Sequence, residues 1–200
     1  TATNTALGCN ALLNAAITGG DNVAIGLWAG KIITSGCCNV IVGACAGYSL
    51  TTGDGNIAVG HCALPVVTVG QNNVAVGCEA LSSNINSSQN IAVGGYALGS
   101  LTTGGVNVAI GEDAGSLLVT GDRNSFLGYQ AGRNLTSGSY NVAIGNIVQL
   151  PNPTGDCQLA IGYNPGGCNW LTGCPSLAIR PGAGIIDCAG SCGTAGQVLM

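Results

Sequence analysis

Charge is the scarcest commodity in this sequence. Acidic and basic side chains together make up 6% of its 200 residues, with four Lys or Arg against eight Asp or Glu and a net charge of −4. So few basic groups exclude a surface for the phosphate backbone of nucleic acid, which needs clustered Lys and Arg. Eight acids are also too few for the dense aspartate repeats of calcium-binding solenoids. Long apolar runs are missing as well, although hydrophobic residues reach 46%. Ile32 to Gly53 carries no charge, yet Gly36, Asn39, Gly43 and Gly47 interrupt it, unlike a membrane-spanning helix. The chain starts Thr1-Ala2-Thr3-Asn4, with neither the basic start nor the apolar core of a cleavable signal. It opens in mid-phrase without Met, and the expectation is a piece of something longer.

What is abundant is glycine, at 35 residues, and a phrase that recurs. Asn22, Asn39, Asn56, Asn73, Asn90, Asn107, Asn124 and Asn141 follow one another at intervals of 17; Asn4 precedes them by 18, and Gln158 and Ser176 continue the series loosely. A fixed short period marks a solenoid, in which each coil buries its apolar surface against its neighbours. With each asparagine as column one, columns two and four are β-branched in most coils (Val23/Ile25, Val40/Val42, Ile57/Val59), and column three between them is nearly always Ala. Alternation of this kind is a strand. Ala on the strand's other face suggests a second, closely approached surface such as another subunit. Two glycines per repeat and the wealth of Val, Ile, Thr and Asn oppose a helical coil. The period is too short for a propeller blade.

Column five is glycine throughout, including Gly26, Gly43, Gly60, Gly77, Gly94, Gly111, Gly128 and Gly145. A turn there needs positive φ or has no room for a Cβ. Column eight is mostly Ala, column twelve mostly Leu, Ile or Val, and column fifteen again mostly glycine. Each coil is expected to run strand, tight turn, short second strand, looser turn. About eleven such coils, stacked at the parallel-strand spacing, would give a rod roughly 50 Å long. The in-phase asparagines would form a structural ladder, their amides bonded along the column.

The phrase Asn-Val-Ala-Ile-Gly at 22–26, 107–111 and 141–145 resembles the head repeat of trimeric autotransporter adhesins. Leu-Thr-Thr-Gly at 50–53 and 101–104 and the junction phrase at 193–199 resemble tail-fibre proteins of bacteriophages and larger viruses. The resemblance covers residues 4 to about 180 and implies a left-handed parallel β-roll, three chains side by side, in a virion or extracellular fibre. A longer repeat, abundant cysteine and the lack of heptads depart from the adhesin pattern and favour a viral fibre.

Eleven cysteines are many, and the odd number leaves one unpaired within a chain. Cys45 and Cys62 share column seven in consecutive coils, within disulfide reach. Cys38, Cys157 and Cys174 share the last column, and Cys188 and Cys192 fall in the tail. Disulfides among Cys45, Cys62, Cys157, Cys174, Cys188 and Cys192, small apolar fillers, and a zinc site using Cys168, Cys174, Cys188 and Cys192 all stand as readings. The zinc reading lacks the usual Cys-x2-Cys knuckle. His61, beside Cys62, suggests a nucleophilic pair, but strand neighbours point to opposite faces. Glu112-Asp113 occupies variable turn columns, and Asp21, Asp54, Asp122 and Asp156 sit at the late turn, which favours Asp. Asn86 and Asn134 fit the glycosylation sequon.

The regularity fails after residue 150, where Pro151 and Pro153 break the coil. The expected organisation is regular repeats over 1–150, irregular terminal coils or a cap over 151–181, and a linker or junction over 182–200. Functionally, the expectation is a homotrimeric structural and adhesive shaft. Its variable columns would meet a glycan or protein receptor on a host surface, with no catalytic site, cofactor, metal, nucleic acid or membrane insertion. The rivals are a bacterial adhesin head, a self-assembling filament and an ice-binding solenoid built on a broken Thr column.

Overall fold

The computed structural model describes residues 3–163 and the backbone of two further strands, 169–173 and 179–180. The protein is an all-β solenoid with 17-residue coils. Each coil contributes one short strand: β1 (Thr5–Leu7), β2 (Val23–Ile25), β3 (Val40–Val42), β4 (Ile57–Val59), β5 (Val74–Val76), β6 (Ile91–Val93), β7 (Val108–Ile110), β8 (Ser125–Leu127), β9 (Val142–Asn146) and β10 (Leu159–Tyr163). They pair in parallel, in strict sequence order and without register slips, so column faces column from β1 to β10. At parallel-strand spacing the nine pairings make a rod about 40 Å long. It is shorter than the repeat count suggests, because β11 (Asn169–Gly173) returns antiparallel to β10 and β12 (Ile179–Arg180) antiparallel to β11.

Only one strand per coil forms. The short second strand expected after the tight turn is replaced by turns, with isolated bridges in column fourteen linking Thr103, Thr120 and Ser137. The reason lies in the backbone. Column seven is left-handed in each coil from Asn10 to Ile147 (Trp28 φ 59°, Cys45 φ 58°, Glu79 φ 55°, Tyr96 φ 58°), and so is column nine from Leu12 to Gly132 (Gly30 φ 56°, Leu64 φ 52°, Leu98 φ 50°). Alternating left-handed residues curl the chain where a strand would need it extended.

The glycines of column five satisfy two demands together. Gly77 has φ +138°, and a Cβ added there would stand 2.5 Å from the carbonyl oxygen of Gly94 in the next coil. Gly26 and Gly60 share this arrangement against Gly43 and Gly77. Neither the backbone nor the stacking distance admits a side chain.

The two faces of the strand are assigned opposite to expectation. Ala24, Ala58, Ala75, Ala92, Ala109 and Ala143 of column three point into the coil and are fully buried. They pack with the column-eight alanines (Ala29, Ala46, Ala63) and the column-twelve residues Ile33, Leu50, Val67, Leu101, Leu118 and Leu135. The coil is thin: its interior takes a methyl on the strand side in most coils, and takes the larger Ile41 and Phe126 only where column nine is glycine. Columns two and four face outward. Phe126, expected to fill a gap between subunits, is likewise inside the coil and 1% exposed.

Candidate functional site

Inside each coil, polar atoms are closed off by the asparagine ladder. Asn39 donates from its backbone N–H and its Nδ2 to Oδ1 of Asn22, at 3.0 and 2.9 Å. The second Nδ2 hydrogen closes its own coil on the carbonyl of Gly53, at 2.9 Å. Asn56, Asn73, Asn90, Asn107, Asn124 and Asn141 repeat the pattern, and all are fully buried. Each amide is therefore saturated, as burial demands. Gln158 ends the row: it donates to Asn141 Oδ1, while its own Oε1 turns back to accept from the N–H of Asn152 at 2.6 Å.

A second row runs along column sixteen. Asp54 Oδ1 accepts from the N–H of Cys37, Asp122 Oδ1 from that of Gly105, and Asp156 Oδ1 from that of Ser139. The Asp residues of the late turn thus satisfy the backbone of the preceding coil, a job beyond intrinsic turn preference. The threonines of column thirteen do likewise. Thr34, Thr51, Thr102 and Thr136 donate their hydroxyls to carbonyls of the next coil. Donors committed in this way are not displayed to a surface lattice such as ice.

Cys45 and Cys62 lie side by side as free thiols. Burial, then the neighbouring Cys45, pushes the Cys62 thiol above its ordinary range. His61 and Cys62 are not strand neighbours, contrary to expectation. They occupy a turn, and His61 Nε2 stands 3.7 Å from Cys62 Sγ while Nδ1 stands 4.0 Å from Cys78 Sγ. A thiol held protonated is a poor nucleophile. Cys38 and Cys157 are exposed free thiols; Cys168, Cys174, Cys188 and Cys192 lie outside the described residues. No group of three or more metal-ligating side chains occurs among the described residues, and among them no helix is long and apolar enough to cross a membrane.

Two surfaces remain to carry function. One is the outward strand face. Columns two and four align Val40, Ile57 and Ile91 beside Ile25, Ile110, Leu127 and Ile144, all exposed; Ile57 is 37% and Leu127 49% accessible. The stripe is aliphatic along the parallel ladder, interrupted in column two by Thr5 at the first strand and Ser125 in β8.

The other is the corner of columns seven and ten, where aromatic and charged side chains concentrate. Trp28 and Tyr48 meet edge to face at 6.4 Å, with Lys31 Nζ 5.3 and 5.1 Å from their ring centroids. Further along, column ten reads Ser82, Gly99, Ser116 and Arg133, and between Ser82 and Ser116 the missing side chain of Gly99 opens a shallow groove of about 350 Å³. Tyr96 and Asp113 of column seven wall it on one side, Ser83, Ser100 and Leu117 of column eleven on the other. Glu79, next to Tyr96, pushes its phenol up from the ordinary range, with smaller contributions from Cys78, burial and Asp113. Gln130 Nε2 donates to Asp113 Oδ2 at 3.3 Å. Asp113 therefore does more than fill a solvated turn. Among the described residues the Arg133 guanidinium makes no ion pair or hydrogen bond.

The sequence reading missed this groove, because its members are spaced a whole coil apart and fall in columns with no consensus. Reading columns seven and ten vertically would have brought Tyr96, Asp113 and Arg133 together. Comparison with protein-family models, with curated proteins and with solved structures finds no match to this chain.

Proposed function

We propose that this chain is a structural and adhesive shaft segment of a virion tail fibre or other extracellular fibre, assembled as a side-by-side homotrimer. The observation that carries the reading is the outward Val/Ile stripe. A solenoid needs one aliphatic face per coil for its own interior, and the Ala, Leu and Ile of columns three, eight and twelve already supply it. A second, largely aliphatic face, in register along the parallel ladder, costs solubility unless another surface covers it. Copies of the same chain match it in length, flatness and periodicity. The resemblance of the Asn-Val-Ala-Ile-Gly and Leu-Thr-Thr-Gly phrases to fibre repeats supports the same assembly, now with the interface on columns two and four instead of column three.

In this reading the fibre's mechanism is mechanical. The inter-coil hydrogen bonds and the buried asparagine row make the rod stiff, and three rods packed on their aliphatic faces leave the column-seven and column-ten corners outward, available to a receptor on a host surface. The test is a pair of substitutions, Ile57→Lys with Ile91→Lys, which puts two charges on the stripe and leaves the coil interior untouched. Size-exclusion chromatography with light scattering is expected to show a trimer for the parent and a folded monomer for the variant. An unchanged oligomer in the variant would overturn the assignment of the interface.

A further inference from the structure

We propose that the groove floored by Gly99 is a binding site for a neutral oligosaccharide, running along the rod with about one sugar unit per coil. The inference rests on the adhesive-fibre reading above and names the receptor chemistry within it. The lining is a mixture in which every polar partner of a polyol is present. Ser100 and Ser116 carry hydroxyls, which donate and accept; the Ser82 hydroxyl donates to Gly99 O at 3.1 Å and is left to accept; Asp113 only accepts, and Arg133 only donates. Tyr96 is 45% exposed, presenting a ring to the apolar C–H face that a pyranose offers alongside its hydroxyls. Coils repeat at about 4.8 Å, close to the advance of one pyranose unit in an extended chain.

Other ligands fit worse. A phosphorylated or acidic ligand would meet Asp113 in the groove, Glu79 beside Tyr96 and a net charge of −4 overall, against the single guanidinium of Arg133. A peptide strand would need open backbone groups, yet this corner spends them internally: Ser83 N–H donates to Gly99 O, Gly99 N–H to Tyr96 O, Ser100 N–H to Ser116 O and Ser116 N–H to Asp113 O. An apolar ligand would desolvate the hydroxyls and both charges without return. A shallow site bound only through side chains, mostly polar around the one aromatic ring of Tyr96, suits a saccharide held weakly by each chain and strongly by several chains together.

Gly99 is the specific feature. Its φ is not in the left-handed region, and Tyr48 occupies the same column two coils outside the groove on the N-terminal side of Pro65. Column ten carries side chains in the neighbouring coils (Ser82, Ser116), and a Cβ at Gly99 would stand 3.0 Å from the carbonyl oxygen of Tyr96, a tight contact that a small backbone shift relieves, so the absence of a side chain at Gly99 leaves the space. Gly99→Tyr would fill the groove from its floor; Tyr96→Ala and Arg133→Ala would remove the platform and the donor.

The experiment measures binding of the intact chain and these three variants to an array of neutral and anionic oligosaccharides, with adhesion to glycan-bearing cells in parallel and thermal melting as a check on folding. The expected result is binding to neutral hexose-containing glycans, weakened about tenfold or more in each folded variant. Equal binding by parent and variants would overturn the groove while leaving the adhesive reading intact. Adhesion to cells with binding to anionic glycans only, or to none, would overturn the saccharide class and again spare the adhesive reading. Loss of both glycan binding and cell adhesion in the parent would remove the inference and the adhesive reading together.

Discussion

Phe126 occupies the space that Gly115 leaves: a Cβ added to Gly115 would stand 2.5 Å from Cδ2 of Phe126. Gly132 opens the same space from the other side. Ile41 is placed likewise over Gly30 and Gly47, where an added Cβ would approach its Cδ1 to 3.0 Å. Elsewhere the sizes are exchanged. Ala58, Ala75 and Ala92 in column three accompany the buried Leu64, Leu81 and Leu98 in column nine. The interior keeps its volume by trading a large residue between two columns.

That trade is testable as a pair. Phe126→Ala alone is expected to cost about 3–5 kcal/mol of unfolding free energy through the cavity it leaves. Adding Gly132→Leu, which recreates the Ala/Leu arrangement of the central coils, is expected to recover about 1–2 kcal/mol in denaturant titration. Strictly additive losses would show that the two positions do not share a space.

The asparagine row predicts a dependence on position. Asn73→Ala removes the acceptor for both donors of Asn90 and the donor to Ser87 O and Asn56 Oδ1. Each buried group left without a partner costs about 1–3 kcal/mol. Asn4→Ala, at the half-buried end of the row, strands only the two donors of Asn22 and one carbonyl. Urea midpoints should fall further for Asn73→Ala than for Asn4→Ala; equal falls would contradict the ladder's role in burial.

Asn84 stands where most coils carry Leu, Ile or Val, fully buried with its Nδ2 unpartnered. Its Oδ1 does accept from the N–H and hydroxyl of Ser87. Asn84→Leu relieves the orphaned donor and adds apolar contact, at the loss of those bonds. The expected net gain is about 1 kcal/mol, read as a higher melting temperature.

Cys37 provides a prediction in pH. The Asp54 carboxylate bonded to its thiol, and then Cys38, push its pKa up to about 11. The raised value keeps the reactive thiolate scarce well above neutral pH, and thiolate gathers only as pH approaches that value. Asp54→Asn removes the charge. Alkylation at pH 9, followed by peptide mass mapping, should label Cys37 several-fold faster in the variant, and unchanged labelling would sink this account of the thiol.

The period, the parallel strand and the column-five glycines were legible because one backbone geometry repeats, and repetition is written directly in residues such as Gly77 and Gly94. Which face of Val74-Ala75-Val76 turns inward was not. Alternation separates two faces without saying which is covered, and the usual rule that the bulkier face is buried fails in a coil as thin as this one. A second strand was expected where none forms, because Cys45, Glu79 and Tyr96 give no sign in their side chains of a left-handed backbone. Asp113 and Arg133 join Tyr96 only across coils, so their groove is invisible to any reading along the chain.

The account stands on the outward aliphatic stripe being covered by other copies of the chain. The most direct measurement is the mass of the purified chain in solution by multi-angle light scattering, over a range of concentrations, with and without reductant. The account predicts three times the chain mass, 58.5 kDa for a chain of 19.5 kDa, persisting when thiols are kept reduced. A trimer lost on reduction would transfer its stability to interchain disulfides, and a monomer at every concentration would contradict the side-by-side fibre outright.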